Sequence, residues 1–189
     1  MVDCVGQSGG LAMLWMAEAQ IDILNFSRRH INIIVQSSLS GIIPWKLMGF
    51  YGHPVANKRD EGWSILRHIA TLEPGHWIFL GDFNEILNES EKCGGRSRPR
   101  GLMESFQDTL EACGLSDLGF KGPQYTWSNC QEGSDLIKER LDRVVANRSW
   151  CELFREAAVW VGMAISSDHV LITLHAMGFA PPQLQRHPF

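Results

Sequence analysis

The chain has 189 residues, enough for one domain, and its 44% hydrophobic and 20% charged residues are ordinary for a folded globular protein. A formal net charge of −4 excludes a global basic field that draws in nucleic acid, so any attraction to phosphate has to come from local clusters. The five cysteines (Cys4, Cys93, Cys113, Cys130, Cys151) are widely spaced with no Cys-x-x-Cys pair, which argues against a structural zinc site and for free thiols in a reducing compartment.

No basic run precedes the short apolar patch at residues 11–16, so the start does not read as a signal peptide. The longest apolar stretch, residues 157–165, is far short of the roughly 20 residues that span a bilayer. The expectation is a soluble intracellular protein, nuclear or cytoplasmic and not secreted, with no membrane partner. The sequence names no protein partner.

In chain order, short strands are predicted at residues 11–16, 21–26, 31–36 and 46–51, separated by polar or Gly/Ser/Pro punctuation as in a β-meander. Residues 60–70 read as a helix, with Trp63, Leu66, Ile69 and Ala70 on one face and Asp60 and Glu61 in the first turn, where the helix dipole favours acids. Residues 77–80 form a continuous apolar run, the mark of a strand buried on both faces. A polar loop is expected at 89–101 and a helix at 102–113 carrying Leu102, Phe106, Leu110 and Cys113 on one side, closed by Gly114. Strands follow at 125–128 and 140–145, a short helix at 149–155, and strands at 157–161 and 170–175. Residues 1–178 are taken as one domain and 179–189 as a disordered tail. Many strands with a few interposed helices indicate an α+β or sandwich architecture.

Three polar clusters each sit at the end of an apolar run. Gly81-Asp82-Phe83-Asn84 follows residues 77–80, and its carboxylate and amide, two residues apart, point to one side of an extended chain. Such a pair polarises a water or holds a metal while orienting a phosphate oxygen; the same residues also make an ordinary turn. Ser167-Asp168-His169 pairs a metal-ligating acid with a group that titrates near neutral pH, or caps a turn entering a strand. In Arg140-Leu141-Asp142-Arg143, strand alternation puts Asp142 on a face with Arg140 and Val144, away from Leu141 and Arg143. A carboxylate buried there needs a partner, for which a histidine is the natural candidate; otherwise the segment is a surface ion pair. Tyr51-Gly52-His53 and Tyr125-Thr126-Trp127 fit strand cores as well as sites. Lys92, Arg96, Arg98 and Arg100 form a basic group in the polar loop, either solvated or facing a nucleic-acid backbone.

Read in order, Tyr51, Gly81-Asp82-Phe83-Asn84, Tyr125-Thr126-Trp127, Arg140-Leu141-Asp142 and Ser167-Asp168-His169 resemble the endonuclease/exonuclease/phosphatase superfamily. The resemblance extends to the apurinic-like endonuclease domain of plant non-LTR (LINE-type) retrotransposons, through Ser8-Gly9-Gly10-Leu11, Gly52-His53-Pro54, Glu91-Lys92-Cys93-Gly94-Gly95 and Gly114-Leu115-Ser116-Asp117-Leu118. It implies a four-layered α/β sandwich, two mixed sheets flanked by helices, and Mg²⁺-dependent hydrolysis of DNA phosphodiesters. Carried over, Asp82 orients or deprotonates the attacking water and Asn84 contacts the phosphate. His169 donates to the scissile phosphate with Asp142 fixing its tautomer, Asp168 bears on the metal, and Tyr51 and Thr126 line the phosphate pocket.

Two departures from the pattern stand out. The family's first strand with its Asn, and the strand bearing its metal-binding Glu, have no counterpart in the chain, which is expected to be N-terminally truncated and missing its first strands; Glu18 lies on the wrong strand to substitute. The Asn that follows the family's Tyr is replaced by His53 and Pro54. Three functions therefore compete: a Mg²⁺-dependent DNA endonuclease with impaired activity, a non-catalytic retroelement remnant that is inert or weakly nucleic-acid-binding, and a phosphodiesterase for a small molecule or lipid headgroup.

Overall fold

A computed structural model describes residues 2–5, 8–36, 43–72, 75–163 and 167–178. The expected tail at 179–189 lies outside the described residues. The chain runs β1 (Val2–Val5), β2 (Ser8–Leu11), β3 (Gln20–Phe26), β4 (His30–Gln36), β5 (Trp45–Tyr51), α1 (Arg59–Leu72), β6 (Trp77–Asp82), β7 (Lys92–Cys93), α2 (Arg100–Ala112), β8 (Leu115–Asp117), β9 (Trp127–Ser128), β10 (Lys138–Glu139), β11 (Asp142–Asn147), α3 (Arg148–Leu153), β12 (Ala158–Val161) and β13 (Ile172–His175).

The core element is a six-stranded mixed sheet of order β3-β4-β5-β6-β11-β8. The meander β3-β4-β5 is antiparallel, α1 carries the chain over to β6 as a parallel neighbour of β5, and β11 returns antiparallel beside β6. Strict alternation sorts the side chains. Met48, Phe50, Trp77, Phe79 and Val145 face α1 and α2, where they pack on Trp63, Leu66, Phe106 and Leu110. Trp63 and Phe106 stack with ring centroids 4.7 Å apart and tie the two helices together. Ile78, Val144 and Ala146 face the other way, onto Trp150 of α3 and Phe154 just after it, Val159 of β12, and Ile172 and Leu174 of β13. Each fully buried Val, Leu, Ile, Met or Phe among them contributes about 1.5–3 kcal/mol.

The result is a mixed α+β sandwich, as expected. Beside the six-stranded sheet, the described residues form the separate hairpins β1–β2 and β12–β13 and a small sheet of order β7-β10-β9. Among these residues no helix is long and apolar enough to cross a membrane. The described thiols Cys93, Cys113, Cys130 and Cys151 are free.

Three expectations change. Residues 12–16 have no regular structure, and the strand lies just before them in β2. The polar loop carries β7, which pairs with β10. The strand expected across 140–145 is broken: β10 ends at Glu139 and β11 starts at Asp142. Arg140 therefore does not continue the alternation of β11. Its guanidinium meets Glu91 and Asp117, the same acids that Arg143 binds, so Arg140 sides with Arg143 and not with Asp142.

Candidate active site

Strand register builds the site. Asp82 closes β6 and lies opposite Tyr51 of β5 on one side and Asp142 of β11 on the other. Cross-strand partners share a face, so the three side chains form one row, neighbouring strands being about 4.8 Å apart. Just beyond β5, the backbone N–H of Tyr51 donates to the carbonyl of Arg29, which extends the row by one residue.

The loops at this end meet more closely than a side chain permits. A Cβ on Gly52 would lie 2.0 Å from the Phe83 carbonyl oxygen, and one on Gly81 (φ 144°) would lie 2.1 Å from the Phe50 oxygen. Two glycines are thus needed to bring the ends of β5 and β6 together. Asn84 takes a left-handed φ of 54°, rare outside glycine but tolerated by Asn.

His169 reaches the row from its bridge to Trp127. Its Nδ1 lies 2.8 Å from Asp142 Oδ2 and its Nε2 lies 4.0 Å from Asp82 Oδ2. The Asp142 carboxylate accepts from Nδ1–H, which turns Nε2 towards Asp82. Burial works against a charged ring, but the hydrogen bond to Asp142 and the charges of Asp142, Asp82 and Asp168 outweigh it and raise the His169 pKa. Burial and the neighbouring Asp142 charge push Asp82 up to about 6. Two titratable groups with raised pKa values thus face each other 4.0 Å apart.

The other expected site residues fall into place around this pair, some in different roles. Asn84 donates through Nδ2 both to Asp82 Oδ2 (2.7 Å) and to the Gly52 carbonyl (3.0 Å), and its backbone N–H donates to Asp82 Oδ1 (2.8 Å). Both amide hydrogens are taken, so the side chain orients Asp82 and has no N–H left for a phosphate. Thr126 is fully buried, and its hydroxyl accepts from the backbone N–H groups of Leu141 and Asp142, each at 2.9 Å. It lies beneath the site and does not line it. Its carbonyl accepts from Val170 N, so one residue ties the start of β11 to the His169 segment. Asp168 is exposed and accepts from the Trp127 indole at 3.1 Å. Slight burial opposes ionisation, but that bond and His169 hold its pKa down.

Magnesium, the ion the resemblance implies, needs a near-octahedral oxygen shell. Among the described residues no three His, Cys, Asp or Glu side chains are arranged to hold a metal ion. Asp82, Asp142 and Asp168 are engaged by Asn84, His169 and Trp127. The described donors do not make a magnesium shell.

Sequence reasoning missed the supports. Arg59, the first residue of α1, is buried; it donates to the carbonyls of His53 (3.1 Å) and Pro54 (3.3 Å) and ion-pairs with the fully buried Glu85. A cation at a helix N-terminus opposes the dipole, and that local misfit was the available signal. The basic loop group also resolves. Lys92 and Arg98 are tucked into ion pairs with Glu139, Arg98 also reaching Glu85 at 3.0 Å, while Arg100 pairs at the surface with Glu104 and Arg96 is exposed.

The profile of the Endonuclease/Exonuclease/phosphatase family matches residues 7–169. Among solved structures, the endonuclease domain of TRAS1, a telomere-specific non-LTR retrotransposon, superposes with a TM-score of 0.67 at 16% identity, over 85% of this chain and 70% of that one. An endonuclease/exonuclease/phosphatase from Beutenbergia cavernae DSM 12333 gives 0.50 at 14% identity, over 84% of this chain and 44% of that one. At these identities the likeness shows the fold. No curated protein matches the sequence.

Proposed function

This chain belongs to the Endonuclease/Exonuclease/phosphatase family, and on that premise we propose that its Asp82–Asp142–His169 cluster hydrolyses phosphodiester bonds in DNA, in a domain of retrotransposon descent. The observation that carries the reading is the separation of 4.0 Å between His169 Nε2 and Asp82 Oδ2. Set apart in this way, Asp82 can accept from a water while Nε2–H donates to a neighbouring oxygen of the same phosphate, each at about 2.8 Å, ordinary hydrogen-bond distance.

Asp82, held by Asn84, takes a proton from the attacking water once it is ionised, above about pH 6. The new P–O bond forms as the bond to the leaving oxygen breaks, and that oxygen takes its proton from solvent. Nε2–H of His169 donates to a non-bridging oxygen and offsets the charge that develops on the pentacovalent phosphate. Asp142 holds Nδ1–H and favours the charged ring, in which Nε2 also carries a proton. Tyr51 lines the side of the gap next to Asp82.

The described donor set favours a second reading, a nucleic-acid-binding domain without catalysis. Supercoiled plasmid incubated with the protein and Mg²⁺ separates the two. Hydrolysis gives nicked circles above the level of an Asp82→Ala/His169→Ala variant; equal levels leave the binding reading.

A further inference from the structure

The row Asp142–Asp82–Tyr51 does not end at Tyr51. Tyr51 N donates to the Arg29 carbonyl at 2.8 Å, and the Arg29 guanidinium lies over the Tyr51 ring, 5.5 Å from its centroid. Two strand spacings, about 10 Å, separate Arg29 from Asp82 along the sheet.

The loop leaving β5 adds to the same side. His53 Nδ1 accepts from the Val55 N–H at 3.0 Å, so the neutral ring carries its proton on Nε2. Burial, with the positive charges of Arg29, Lys58 and Arg59, lowers the pKa of this ring, and Glu61 offsets them only in part. Lys58 is exposed at the end of the short turn Ala56–Lys58. Arg59 is engaged with Glu85 and two carbonyls, whereas Arg29 and Lys58 present positive charge beside a neutral N–H donor. A net acidic chain thus keeps a local basic rim on one side of its acid–base pair.

We infer that Arg29, His53 and Lys58 form a subsite for the backbone phosphates that adjoin the scissile phosphate on the Tyr51 side. The ligand class is a polynucleotide chain, since a subsite about 10 Å from the reacting centre is of use only to a substrate with a neighbouring phosphate. This rests on DNA being the substrate of the proposed reaction. Contacts of this kind position the chain without reading its sequence, and each neutralised phosphate adds to the salt dependence of binding.

The test measures anisotropy of a short fluorescein-labelled duplex against salt concentration, using the full chain, Arg29→Ala, Lys58→Ala, the double variant and, as a control, Arg148→Ala on the exposed face of α3. The slope of log affinity against log salt should shrink by about 1 for each substitution in the rim and stay unchanged in the control. In parallel, hydrolysis of bis(4-nitrophenyl) phosphate, which has no neighbouring phosphate, should run at one rate in the wild type and the Arg148→Ala control. Unchanged slopes in all rim variants overturn the subsite, even if the small diester is hydrolysed. Reduced slopes with neither substrate hydrolysed uphold the subsite and overturn the hydrolase.

Discussion

Two charged clusters grow from the same segments of the chain and face opposite sides of the central sheet. On the helix side, Glu91 and Asp117 are bound by Arg140 and Arg143, and Glu85 and Glu139 by Arg59, Lys92 and Arg98. On the other side, Asp82 and Asp142 meet one histidine and no guanidinium. Burial raises carboxylate pKa values in both places. For Glu91 and Asp117 the Arg143 charge reverses the effect and the pKa falls, whereas for Asp82 the Asp142 charge adds to it. Partners decide what a buried acid does: the compensated set holds loops in ionised form, and the other set keeps Asp82 titrating at about 6.

The largest expected effect breaks the compensated side. Arg143 has a fully buried side chain, and Arg143→Met leaves Glu91 and Asp117 short of a partner. Urea denaturation should show a loss of about 3–5 kcal/mol; a loss below 1 would mean that Arg140 alone suffices.

The opposite sign is expected for Asp82→Asn. A carboxylate whose folded pKa is raised, here from 3.8 to about 6, costs stability as pH climbs through that window, and the full cost is present above it. The substitution should stabilise the fold by about 2–3 kcal/mol at pH 7 and by nothing near pH 3. Glu91 runs the other way. Its depressed pKa contributes stability above the ordinary value of 4.5 that is lost as pH falls through the folded value. Wild-type and Asp82→Asn melting curves compared across pH 3–7 measure both slopes.

A smaller effect sharpens the link between the two loops of the site. Thr126→Val leaves the N–H groups of Leu141 and Asp142 without their acceptor and should cost about 1–3 kcal/mol, with Thr126→Ser restoring most of it. By NMR titration, the His169 pKa should move towards the ordinary imidazole value in the Val variant alone. The smallest effect is at the surface. Arg148→Ala removes an exposed pair with Glu152 and should leave the melting temperature unchanged.

Long periodic elements were legible in the sequence: the meander β3-β4-β5, both long helices, and β6 with its terminal Asp82. The order of the polar clusters also foretold which acids and histidine would meet. Strands of two or three residues, such as β7, β8 and β10, are too short to show a period. The break at Leu141 defeated the assumption of unbroken alternation and misassigned Arg140. Lys92 and Arg98 looked solvated because their partner Glu139 lies 47 and 41 residues away. Thr126 was taken for a pocket residue because sequence position cannot say which side of a sheet end a hydroxyl faces.

The most direct test of the account is the pH profile of phosphodiester hydrolysis by the full chain in the presence of Mg²⁺. The account predicts a bell whose acid limb has its midpoint at about 6, set by Asp82, and whose alkaline limb lies above the ordinary imidazole value, set by His169. A flat profile, or one shared with the Asp82→Ala/His169→Ala variant, would contradict it.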